Sequence, residues 1–137
     1  MAVSLALLCA CHSEPASQLI VQQTPVVRLP IVAGRPGVAY LDVAIAGEPG
    51  DLVAVTSPQV GRIEMHESMT QGTMSSMHAL DRILTRGVRS LSFAPGGRHL
   101  MLFDIAPAVR PGSAVTLTFH FADGSSEDFT AFAGRAN

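Results

Sequence analysis

Residues 114–121 read Ala114-Val115-Thr116-Leu117-Thr118-Phe119-His120-Phe121, with apolar and polar side chains in strict alternation. A period of two puts Val115, Leu117, Phe119 and Phe121 on one face of a strand and Thr116, Thr118 and His120 on the other. One face is therefore built for a core and the other for water, so His120 is an outward strand residue and no ligand. Asp123-Gly124 follows, the dipeptide of a tight hairpin turn, and a second apolar run at 127–132 returns from it.

The same rhythm extends outward along the chain. Short apolar runs at 26–29, 38–45, 52–56, 62–68, 74–80, 89–93 and 99–105 are separated by Gly and Pro punctuation: Gly47-Glu48-Pro49-Gly50-Asp51, Ser57-Pro58, Gln71-Gly72, Pro95-Gly96-Gly97 and Arg110-Pro111-Gly112-Ser113. Many short strands at this spacing, with no long helical period among them, predict an all-β sandwich or barrel. At 137 residues the chain has room for one core and no more.

Upstream, residues 1–11 form an apolar run too short to span a bilayer and suited to a secretory signal peptide. Its ending, Leu8-Cys9-Ala10-Cys11, resembles a bacterial lipobox, which would leave a lipid on Cys11 and anchor an exported protein to a membrane. A basic n-region is missing, and Cys9 is an unusual lipobox residue. Residues 12–25 are polar, with Ser17, Gln18, Gln22 and Gln23, and are expected to be a flexible tether. The folded domain is then expected over 26–133, with a short tail at 134–137.

Composition excludes several functions. Net charge is −2, charged residues are 15% of the chain, and all nine basic residues are Arg, scattered and without a cluster, so a nucleic-acid surface is not expected. Cys9 and Cys11 are the two cysteines, so the mature domain has no thiolate and no disulfide to rely on. There is no Gly-x-Ser-x-Gly elbow, His-Glu-x-x-His, phosphate loop, dinucleotide fingerprint or Cys-x-x-Cys, and an enzyme is not expected. A blue-copper electron carrier is excluded too, for want of a cysteine ligand.

The distinctive chemistry lies between Ile63 and Met101: Met65-His66, Met69, Met74, Met77-His78, and His99-Leu100-Met101. Taken singly, each Met is an ordinary core filler and each His an ordinary polar group. Taken together, uncharged thioethers and imidazoles without a thiolate form a soft donor set that favours Cu(I) over zinc or magnesium. Thioethers also survive an oxidising compartment that would convert thiols to disulfides.

The spacing of His66, ten residues, Met77, twenty-one residues, His99, one residue, Met101 resembles the copper-binding signature of the periplasmic PCuAC copper chaperone family. The similarity runs from about Val26 to Phe132 and includes Ala39-Tyr40-Leu41, Val55-Thr56-Ser57-Pro58, Glu64-Met65-His66-Glu67 and Pro95-Gly96-Gly97-Arg98-His99-Leu100-Met101. The resemblance implies a cupredoxin-like Greek-key β-sandwich and one Cu(I) held by His66, Met77, His99 and Met101. It also implies a periplasmic copper chaperone that supplies the copper centre of cytochrome c oxidase, through its subunit II or an intermediate copper carrier. Periplasmic copper sequestration without an oxidase client is the alternative, and a metal-free structural sandwich a more distant one. The His- and Met-rich C-terminal tail of many family members has no counterpart in Ala133-Gly134-Arg135-Ala136-Asn137, and a monomer is expected.

On regular strands, His99 and Met101 point to one side, and a hairpin at Gln71-Gly72 returns Met77 toward His66. Met65, adjoining His66, is expected in the core, and His78 on the opposite side from Met77. Met69 and Met74 flank the turn as accessory residues for metal entry. Glu64, Glu67 and Asp104 are hard oxygen donors, expected to be solvated or to orient a histidine.

Overall fold

The computed structural model describes residues 17–136; the expected signal peptide, with Cys11, lies outside the described residues. Nine strands follow in chain order: β1 Gln18–Leu29, β2 Gly37–Ala46, β3 Leu52–Thr56, β4 Val60–Gln71, β5 Met74–Leu80, β6 Ser90–Phe93, β7 Arg98–Ile105, β8 Ala114–Phe121 and β9 Ser126–Arg135. All nine expected segments are strands, and no helix occurs among the described residues.

Both ends of the domain differ from expectation. Strand β1 starts at Gln18, inside the stretch expected to be a tether, and Gln18–Val21 pairs with the end of β2 before register shifts around Gln23. The domain therefore begins some eight residues before the expected start at 26. The stretch reads as polar because Gln18, Gln22, Gln23 and Thr24 keep their side chains in solvent; what holds the segment is its backbone ladder, which places no demand on side-chain type, together with Leu19, half-buried against the core. At the other end β9 runs to Arg135, taking in Gly134 and Arg135 of the expected tail.

The strands form one open path, β3-β8-β9-β1-β2-β7-β4-β5, with β6 paired to β2 beside it. Every pairing is antiparallel except β1 with β9. Chain neighbours such as β2 and β3 are far apart in this order, the mark of Greek-key connection. Strand β1 joins the two layers, pairing with β2 on one side and β9 on the other.

Between the layers, Val115, Leu117, Phe119 and Phe121 of β8 are buried with Leu41 and Val43 of β2, Leu91 and Phe93 of β6, and Leu100 and Leu102 of β7. Phe93 meets Phe119 edge-on across the layers with ring centroids 5.8 Å apart, and Phe119 meets Phe129 of the neighbouring strand at 5.0 Å. Fully burying each such side chain contributes roughly 1.5–3 kcal/mol. His120 faces outward and shares a 2.7 Å hydrogen bond with the Thr56 hydroxyl.

At the margin of the path, β4 turns into β5 through Gly72-Thr73, with Gln71 and Met74 paired across the turn. Gly72 has φ 60° and Thr73 keeps an ordinary negative φ, the signature of a type II′ turn with Gly at its first central position. Core packing ends at Met65 and Leu80. Beyond them, residues 69–79 are exposed, so the tip of the hairpin projects from the sandwich with both faces in solvent.

Candidate metal centre

The β4–β7 ladder sets His66 directly opposite His99, and Glu64 opposite Met101. The β4–β5 ladder sets Ala79 opposite His66 and Met77 opposite Ser68. Cross-strand partners share a face, as do residues two apart on a strand. His66, Met77, His99 and Met101 therefore all lie on one face of three neighbouring strands, with the histidines on the middle rung. Met101 is one rung to one side on β7, and Met77 one rung to the other side on β5.

The two imidazoles form the centre. Their ring centroids are 5.9 Å apart with planes tilted by 37°. His99 is buried, at 6% exposure, and the His66 side chain at 16%. Burying two imidazoles requires partners for their nitrogens, and each has one. His99 Nδ1–H donates to the Gly97 carbonyl at 3.0 Å, and His66 Nε2–H donates to the Glu64 carboxylate at 2.9 Å. Carbonyl and carboxylate oxygens only accept here, which assigns each ring's proton and leaves lone pairs on His99 Nε2 and His66 Nδ1. His66 Nδ1 is buried and has no hydrogen-bond partner among the described residues.

Glu64 is itself held. Arg62 Nε lies 3.3 Å from its other oxygen, while the Arg62 guanidinium sits 4.4 Å from the centroid of the Phe103 ring. The hydrogen bond from His66, and beyond it the charge of Arg62, keeps the Glu64 carboxyl below its ordinary pKa, so it remains an acceptor. A chain of Phe103, Arg62, Glu64 and His66 thus fixes the ring that carries the unpartnered nitrogen.

An uncompensated buried nitrogen costs about 1–3 kcal/mol, and a soft metal ion would satisfy it. Among the described residues no group of three or more His, Cys, Asp and Glu side chains is placed to hold a metal. The thioethers of Met101 and Met77 lie on the same face as the two imidazoles, and this donor set fits a soft monovalent ion.

The remaining sequence candidates separate cleanly. Met65 is buried in the core, as expected. His78 is across the strand from Met77, with Nε2 3.3 Å from the Ser76 hydroxyl. Met69 and Met74 flank the turn, exposed. Glu67 pairs with Arg98 at 3.6 Å, and Asp104 is exposed at the far end of β7. Met77 is 56% exposed and is the outlying member of the four. The Gly97 carbonyl was not foreseen; its signal is the turn Pro95-Gly96-Gly97, which ends two residues before His99.

The family model described as "Putative lipoprotein LpqE-like" matches residues 19–132. Two curated relatives align with just over half of the chain. The "Uncharacterized protein RP573" of Rickettsia prowazekii is 31% identical over 77 residues, 56% of this chain and 42% of its own length. The "Putative lipoprotein Lxx21020" of Leifsonia xyli subsp. xyli is 29% identical over 76 residues, 55% of this chain and 46% of its own. The aligned region thus spans less than half of either relative.

Among solved structures, the fold is similar to CuI-DR1885 from Deinococcus radiodurans, with TM-score 0.66 and 18% identity over 93% of this chain and 83% of that one. It is also similar to the copper-bound PCuAC domain from PmoF2, with TM-score 0.60 and 20% identity over 88% and 93%. The apo PCuAC domain from PmoF1 gives TM-score 0.61 and 21% identity over 86% and 94%. At these identities the likeness is one of fold, a cupredoxin-like β-sandwich.

Proposed function

The chain belongs to the LpqE-like family, and from that premise we propose that it is an exported copper carrier. It holds one Cu(I) ion at His66 and His99, with Met101 and Met77 as thioether donors. The observation that carries this reading is the pair of imidazole lone pairs on one rung, one of them buried and unpartnered, between two thioethers on the same face. That two of the structures sharing the fold are copper-bound supports the choice of metal.

The chemistry favours delivery over storage. A neutral shell of imidazole and thioether binds without the charge of a thiolate, and Met77 stands at the surface, so a receiver richer in thiolates can take the ion by ligand exchange, starting from the outlying donor. The protein acts as a carrier, not a catalyst. Its destination on this reading is the copper centre of cytochrome c oxidase, directly or through an intermediate carrier, in the periplasm.

The test is Cu(I) binding against a calibrated competitor. The wild-type protein takes up one tightly held ion, and His99→Ala or Met101→Ala loses it; full affinity in both variants would refute the assignment. Oxidase activity set beside copper tolerance in a deletion strain separates delivery from sequestration.

A further inference from the structure

Apart from Met1, the methionines are Met65, Met69, Met74, Met77 and Met101, and only Met65 belongs to the core. Met77 and Met101 share the face of the histidine pair. Met69 and Met74 do not. In the β4–β5 ladder Met65 pairs with Leu80, Glu67 with His78, Met69 with Ser76, and Gln71 with Met74. Met69, Met74 and His78 therefore share the opposite face of the hairpin, the one continuous with the core.

On that face Met69 occupies the middle rung, with Met74 on one diagonal and His78 on the other. Diagonal neighbours in an antiparallel pair lie about 7–8 Å apart, within reach of long side chains. All three side chains are exposed, Met69 at 47% and Met74 at 77%, and none belongs to the core. From Ser68 to Leu80 the sequence has no charged residue; the nearest charges on this face are Glu67, opposite His78, and Arg98, which lies 3.6 Å from Glu67 and offsets its carboxylate, so Met69 and Met74 have no hard donor beside them.

We propose that this reverse face of the hairpin is a second, weaker soft-metal site, in which Met69 holds a monovalent ion together with either Met74 or His78. The inference rests on the reading of the protein as a copper carrier and extends it. An ion arriving at the tip is taken by Met69 and Met74, then shared with His78. Met77 adjoins His78 in the chain and lies on the other face of the marginal strand. The ion thus passes around β5, the edge strand among the described residues, to the histidine pair, donor by donor, without a bare intermediate. Two donors bind less tightly than four, so the gradient runs inward.

Ag(I), a redox-inert soft ion, titrated into the folded protein labelled with 13C at the methionine methyls and observed by NMR, tests this. The first equivalent is expected to shift Met101 and Met77 and the rings of His66 and His99. The second is expected to shift Met69, Met74 and the ring of His78, while His120, half-buried and outward-facing on a distant strand, stays still. Met69→Ala, at an exposed position, is expected to lose the second phase and keep the first. Stationary Met69 and Met74 methyls through two equivalents would overturn the second site, as would a second phase that survives Met69→Ala or an equal shift at His120. A missing first phase with an intact second one would instead overturn the centre at His66 and His99 and leave the reverse-face site supported.

Discussion

His66 and His99 face each other from adjacent strands, yet neither ring bonds the other; each turns one nitrogen to a fixed oxygen and leaves its second nitrogen free. An acceptor behind a histidine sets its tautomer and raises its basicity as a ligand. The pair is therefore arranged as donors before any ion arrives.

Glu64 is expected to matter for copper although it is no ligand. Glu64→Ala frees the His66 ring to take either tautomer, and Cu(I) affinity should fall by about 10- to 100-fold, the usual effect of losing such a partner. Glu64→Gln keeps an acceptor oxygen and should fall less. Competition assays on both variants check this; unchanged affinity in Glu64→Ala would show that the ring is positioned by other means.

Met77 and Leu100 should respond in opposite ways. Met77 is exposed, so Met77→Ala is expected to change folding stability by less than about 0.5 kcal/mol while weakening Cu(I) binding. Leu100 is fully buried and points away from the site, so Leu100→Ala should destabilise by about 2–5 kcal/mol. Denaturant melts paired with copper titrations separate the two roles.

Gly37 is a position where the fold has no room. A Cβ there would lie 2.7 Å from Ile105 Cδ1 and 2.9 Å from the Arg28 carbonyl oxygen. The side chain can shift but the backbone of β1 cannot easily do so, and Gly37→Ala is expected to cost about 1–3 kcal/mol as overpacking. A thermal midpoint equal to wild type would contradict it.

Acid should loosen the β8–β9 turn. The hydroxyl and backbone N–H of Ser125 donate to Asp123, the N–H at 2.8 Å, and hold its carboxyl below its ordinary pKa. A lowered folded-state pKa stabilises above the ordinary carboxylate range, and this contribution disappears as pH falls through the folded value. Asp123→Ser should flatten that acid limb of stability against pH; an unaltered limb would assign it to other carboxylates.

Much of this was legible in the residues. Alternation along 114–121 gave β8 because each of its side chains is sorted by a buried and a wet face. Gln71-Gly72 marked the hairpin because a left-handed φ is needed there. The spacing of His66, Met77, His99 and Met101 named four residues that the ladders put on one face. Gln18–Thr24 was illegible as strand because backbone pairing and a single half-buried side chain, Leu19, hold it, and the Gly97 acceptor was marked only by the turn Pro95-Gly96-Gly97, since a carbonyl leaves no mark in residue type.

The two-residue turn at Gly72-Thr73 has one more consequence, a matter of parity. Adding or removing a single residue between His66 and Met77 while the turn keeps its two residues would turn β5 over, delivering His78 to the histidine pair and Met77 to the reverse side. With that turn, this hairpin can grow or shrink only in even steps without exchanging a sulfur for a nitrogen on both of its surfaces at once.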